Sequence, residues 1–179
     1  INMKTGAYQS VPLQFEPHSF AHHPNFPMRV WAITKWNKYS AEIDFERASV
    51  SRLLINEEMP FEGHAAYSHA GETLYISQVD LRSGSGCLVA YDAKNGKKLS
   101  ILTVAPGEVH DCQTLPDHTS WITSSGIKRL ADRGPNSGPR VDSTGIFRVD
   151  LNNGQILDKK YIDLPEQIIG HFGLCKDGT

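Results

Sequence analysis

The sequence lacks the features that would place it across a bilayer or on nucleic acid. No run approaches the roughly 18 consecutive apolar residues of a membrane span. No basic cluster is present, and 18 Lys+Arg against 20 Asp+Glu leave a net charge of −2, which argues against a phosphate backbone or an anionic lipid surface as partner. Cysteine is scarce. Cys87, Cys112 and Cys175 form no CxxC pair, and an odd count makes a poor disulfide framework, although one bridge between two of them stays open. Helical periodicity is missing too, which excludes a helix bundle. There is no GxSxG, HExxH or Walker pattern, and the glycine-rich stretch 83–86 lacks the lysine and the helix that a phosphate loop needs.

What the sequence has instead is turns and a repeat. Fifteen Gly and ten Pro separate short runs rich in Val, Ile, Tyr and Thr, the pattern of strands between turns. Glu16-Pro17-His18, Glu62-Gly63-His64 and Glu108-Val109-His110 repeat Glu-x-His at a spacing of 46 residues. A fourth copy, Ile169-Gly170-His171, comes 61 residues after the third without the glutamate. A Gly-, Pro- and charge-rich insert at 128–143 accounts for the extra length. Each unit carries a turn shortly after its histidine and a second strand, at 29–34, 73–78 and 120–124. A third strand ends at an Asp or Asn four residues before a Gly or Ala: Asn2/Gly6, Asp44/Ala48, Asp92/Gly96 and Asp150/Gly154. Two of these turns hold Asn-Gly, the strongest short hairpin signal. A fourth strand closes the unit, at 98–104 and 156–162.

Four antiparallel strands about every 45 residues define a β-propeller blade. The fold expected is therefore all-β, a propeller of four-stranded antiparallel blades. The chain divides into the end of one blade (1–16), three whole blades (17–60, 61–106 and 107–165, the last with the 128–143 insert) and the first strand of another (166–179). Closed rings take about four to eight blades, so the expectation is an incomplete ring whose remainder comes from the same or another chain.

In a propeller the first strand of each blade lines the axis. His18, His64, His110 and His171 then form an arc at one mouth of the channel, and strand alternation places Glu16, Glu62 and Glu108 on the same side as the histidine two residues on. Imidazoles converging on an axis are what a transition metal needs, with carboxylates as further ligands or as partners that fix the tautomer. Histidine suits copper, zinc, iron and nickel, and the glutamates incline the set toward iron or zinc. Duplication alone would also copy a turn-capping histidine into every unit, so a purely structural role stands beside the metal role. Asp111, next to His110 on a strand, is expected on the opposite face. Cys112, two residues after His110, shares its face. His23 and His69 are expected on the solvated surface, and Trp31, Trp36 and Trp121 between blades.

The runs Glu62-Gly63-His64-Ala65-Ala66-Tyr67-Ser68, Thr73-Leu74-Tyr75 and 86–92, with Glu108-Val109-His110-Asp111, Ser125-Gly126-Ile127 and 169–179, resemble a bacterial family of YVTN-type seven-bladed propellers without an assigned activity. The resemblance implies a seven-bladed ring and export to the periplasm. Genes of that family often neighbour those for iron acquisition, which implies a role near metal or redox chemistry. More distantly, the four histidines are similar in arrangement to those of the nitrous oxide reductase propeller, where histidines from several blades hold copper. Two functions follow as expectations: an axial transition-metal site for metal handling or redox chemistry, or a scaffold that binds a protein partner through the 128–143 insert. Catalysis is left open.

Overall fold

The computed structural model describes residues 4–6, 8–132, 138–140, 144–162 and 170–174. Among them the chain is all strand and turn, with no helix. The first sheet contains β1 (Ser19–His23), β2 (Phe26–Ile33), β4 (Tyr39–Asp44) and β5 (Ser49–Ile55), in that spatial order. The second contains β6 (Phe61–Tyr67), β7 (Thr73–Asp80), β8 (Ser85–Asp92) and β9 (Lys98–Ala105), with the short β3 (Lys35–Asn37) paired to the edge of β6 opposite β7. The third runs through β10 (Val109–Thr114), β11 (Thr119–Ser124), β12 (Gly145–Asp150) and β13 (Ile156–Tyr161). Every pairing is antiparallel between neighbours in space. This is the blade plan of a β-propeller.

The hairpin chemistry is readable residue by residue. Asp92 Oδ1 accepts from the N–H groups of Lys94 and Asn95, and Gly96, at φ 73°, returns its own N–H to the Asp92 carbonyl. Asp150 and Gly154 repeat the arrangement. A positive φ is cheap only for glycine, which is why the turn ends where it does.

The blades are held face to face by apolar residues. Trp31, Ile33, Phe61, Leu74, Ile76 and Val89 pack between the first and second sheets. Leu88, Leu102, Val104, Val109, Ile122 and Phe147 pack between the second and third. β6 therefore touches β1 on one side and β10 on the other, so three inner strands stand side by side around the axis.

Trp36 departs from the expected inter-blade packing. It sits at φ 58° in β3 and is 39% exposed, with Lys35 Nζ 4.6 Å above its ring. Trp121 is half-buried. His23, expected in solvent, is buried against Phe26 and Tyr67, and its Nδ1 accepts from the Asn25 N–H. It follows the alternation of β1, in which Ala21 and His23 are buried and Phe20 and His22 exposed. Of the calls at the ends, residues 1–3 (with Asn2), 163–169 and 175–179 (with Cys175) lie outside the described residues, as do 133–137 and 141–143 of the insert.

Candidate metal centre

Four segments deliver one histidine each to the same place. His18 immediately precedes β1, His64 lies in β6, His110 in β10, and His171 in the stretch 170–174. One ring nitrogen from each can be chosen so that all four lie within 4.8 Å of one another. Ring centroids are 4.6 Å apart for His64–His110, 4.7 Å for His64–His171 and 4.9 Å for His110–His171. His18 stands 5.2 Å from both His64 and His110. His18 and His171 are exposed, and His64 and His110 half-buried.

The backbone is shaped to allow this approach. Between Phe61 and Ala65 the β6–β7 register slips, and Gly63 takes φ 114° inside the slip. A Cβ there would sit 2.7 Å from His18 Cδ2 and 3.1 Å from His110 Cε1. Gly63→Ala therefore meets both a forbidden φ and two ring atoms. We expect it to lower stability by about 1–3 kcal/mol and to splay the rings. A thermal melt together with a cobalt(II) titration checks both effects, and wild-type values in each would show that the close approach is not needed.

Hydroxyl side chains tie the inner strands together. Ser77 Oγ donates toward the carbonyls of both His64 and His110, and Thr123 Oγ1 donates to the carbonyl of Gly170. Each lies 13 residues after its blade's histidine, a repeat signal present in the sequence but not among the residues singled out there. Gln113 Nε2 donates to the Phe172 carbonyl and fixes the His171 segment further.

A hydrogen bond assigns the tautomer of one ring, and a second ring leaves a nitrogen unpartnered. His110 Nδ1 lies 2.8 Å from the Glu62 carbonyl; a carbonyl only accepts, so Nδ1 carries the proton and Nε2 is left as the ligand atom. His64 Nε2 is buried without a hydrogen-bond partner, an arrangement that costs free energy unless something else fills the role. Burial lowers the His64 pKa to about 3, helped by the His110, His171 and His18 rings. Burial and then Lys35 lower His110 to about 4. Both rings are neutral at pH 7, the state that ligates a metal.

The glutamates do not join them. Glu16 is exposed. Glu62 is 1% exposed, and Arg129 Nη1 donates to its Oε1 at 2.6 Å. Glu108 is buried as well. All three lie outside the four-residue group. The slip around Gly63 breaks the alternation that would have put Glu62 on the side of His64. Burial and the neighbouring Glu108 carboxylate push Glu62 up to about 8 against the pull of Arg129.

Asp111 departs in the other direction. His110 and Asp111 both stand opposite Thr123, because the β10–β11 register gains one residue between Val109 and Cys112. This bulge puts Asp111 Oδ1 3.6 Å from His64 Nδ1 and Oδ2 3.8 Å from His171 Nδ1. The Cys112 thiol is fully buried and its pKa is raised by that burial; it is no thiolate ligand. A cavity of about 460 Å³ runs along the inner strands from Asp111 past Ala66, Gln113 and Thr114 toward His22 and His69.

Sheets and site together define a β-propeller fold with four histidines brought to one place. Residues 11–179 match the family described as "Protein of unknown function (DUF1513)", and the chain belongs to that family. Among solved structures it is similar to hydrazine synthase of Kuenenia stuttgartiensis, with TM-score 0.63 and 12% identity over 85% of this chain and 39% of that one. It is also similar to the WD40 repeats of RRP9, with TM-score 0.59 and 13% identity over 84% of this chain and 40% of that one. The chain thus spans about two fifths of the length of these structures. Identities this low speak for the fold alone. No curated protein matches the chain.

Proposed function

We propose that this protein binds one late transition-metal ion at the mouth of its propeller channel through His18, His64, His110 and His171, for metal handling or redox chemistry in the periplasm. The observation that carries the reading is the convergence of four imidazoles from four separate segments to within 4.8 Å. Duplication explains one histidine per blade. It does not explain a buried, unpartnered His64 Nε2 facing three further rings.

The donor set also bears on the metal. Four imidazole donors without a thiolate or carboxylate suit copper(II) or zinc better than iron, whose sites commonly include a carboxylate. Glu62, the residue that inclines the set toward iron, directs its carboxylate to Arg129 instead. A bound ion would supply Lewis acidity or one-electron exchange. The alternative, a scaffold that binds a partner protein through the 128–143 insert, has less to support it, because Arg129 in the described part is directed into the fold.

Elemental analysis of natively purified protein tests the reading. Copper or zinc near one equivalent, retained through dialysis, is the expected result. Protein that arrives without metal and takes up neither ion on titration would leave the histidines structural.

A further inference from the structure

We propose that Asp111 is the positioning residue of this centre: one carboxylate that orients two of its four imidazoles, His64 and His171, and partly offsets the charge of the ion. The inference rests on the metal reading above but makes a separate claim about which side-chain atoms set the geometry.

The two oxygens of Asp111 divide between two rings, with Oδ1 3.6 Å from His64 Nδ1 and Oδ2 3.8 Å from His171 Nδ1. The carboxylate is itself held. Cys112 N–H donates to Oδ1 at 2.8 Å, and the residue's own N–H donates to Thr123 Oγ1 at 2.9 Å. Thr123 Oγ1 in turn donates to the Gly170 carbonyl, next to His171. Asp111 thus stands where β6, β10 and the 170–174 stretch meet.

An acceptor beside Nδ1 keeps the proton there and turns Nε2 inward. His110 obtains this from the Glu62 carbonyl, and His64 and His171 share Asp111. The unpartnered atom of His64 is Nε2, the nitrogen that this tautomer leaves without a proton. Metal-bound histidines usually have such an acceptor on the far nitrogen, and its loss typically costs about 10–100-fold in metal affinity. Distances of 3.6 and 3.8 Å are longer than hydrogen bonds, so in metal-free protein the carboxylate biases each Nδ1–H through its charge, and the rings are expected to close on it when they close on an ion.

The test compares wild type with Asp111→Asn, which keeps the volume and removes the charge, and Asp111→Ala. Long-range proton–nitrogen NMR reads the tautomers of His64 and His171 in metal-free protein, and a cobalt(II) titration reads affinity by visible absorbance. We expect both rings to be Nδ1–H in the wild type and mixed or Nε2–H in Asp111→Ala. Cobalt affinity should fall about 10–100-fold in both variants, with unchanged melting temperature in Asp111→Asn. Unchanged tautomers in Asp111→Ala overturn the proposal, whether or not the wild type takes up cobalt. So does unchanged cobalt affinity in both variants. If the wild type takes up no cobalt while the tautomers still shift, the metal reading fails and the orienting role of Asp111 is upheld.

Discussion

His64→Ala combined with His110→Ala should abolish metal retention while leaving the propeller folded. These two rings are the half-buried pair, their centroids are 4.6 Å apart, and His110 has its Nε2 left free by the Glu62 carbonyl while His64 has its Nε2 buried and unpartnered. Loss of an outer partner alone costs about 10–100-fold in affinity, so loss of two ligands should cost at least about a hundredfold. Stability under metal makes the difference measurable. At free metal near 100 times its Kd the wild type should gain about 2.7 kcal/mol, whereas a variant binding a hundredfold more weakly gains only about 0.4 kcal/mol at the same concentration. Without metal the two proteins should unfold at similar denaturant concentrations. The His64 ring has an unpartnered nitrogen whose removal relieves a cost, and neither ring belongs to the apolar clusters between the sheets. Equal stabilisation of variant and wild type by zinc or copper would mean that the ion sits elsewhere.

The period carried most of the architecture. Glu-x-His every 46 residues, four strands per unit and Asn-Gly turns are one-dimensional signals, and each maps onto a sheet or hairpin at nearly the expected residues. The four histidines were legible for the same reason: equal places in equal units fall on one axis. What the repeat could not show is where strands stop alternating. Two register slips, one around Gly63 and one at His110–Asp111, move Glu62 away from the histidines and bring Asp111 to them. The slip at His110–Asp111 adds one residue and so exchanges the faces beyond it, whereas the slip around Gly63 sets a four-residue step along β6 against a two-residue step along β7 and displaces only the residues inside it. A φ of 114° at Gly63 betrays the first slip only once coordinates exist, because glycine serves many other purposes. The Arg129–Glu62 pair spans 67 residues and joins an insert absent from the other units, so no comparison between repeats could find it. Ser77 and Thr123 could have been found, since both lie 13 residues after their histidine.

Arg129→Leu should destabilise the protein strongly, and more at pH 9 than at pH 5. Glu62 and Arg129 are both buried, at 1% and 9% exposure, and are joined at 2.6 Å. Removing one member of a buried ion pair typically costs about 3–5 kcal/mol, because the other is left in a low dielectric without its counter-charge. Burial first and Glu108 second raise Glu62 from its ordinary 4.5 to about 8, and Arg129 is the main group opposing them. A carboxyl raised in the fold favours folding in its protonated form. Its contribution is full below about 4.5 and is lost as pH rises through 8, by up to about 1.4 kcal/mol per pH unit. Without Arg129 the group is held higher still, so the loss continues above pH 8, where the wild type has already ionised. At pH 5 Glu62 is protonated in both proteins, and the gap should shrink to roughly the 1.5–3 kcal/mol of a hydrogen bond from a charged donor. Urea unfolding at the two pH values measures the gap directly, and a second variant, Arg129→Leu with Glu62→Leu, should recover most of the loss at pH 9. Equal losses at both pH values would show that Arg129 contributes packing rather than charge. The position of the pair adds a link to the site: the carbonyl of Glu62 accepts from His110 Nδ1, so the Arg129 contact of its side chain anchors the strand that presents both His64 and the acceptor for His110. Arg129→Leu should for that reason also weaken cobalt binding at pH 7, where the protein remains folded, without touching any ligand.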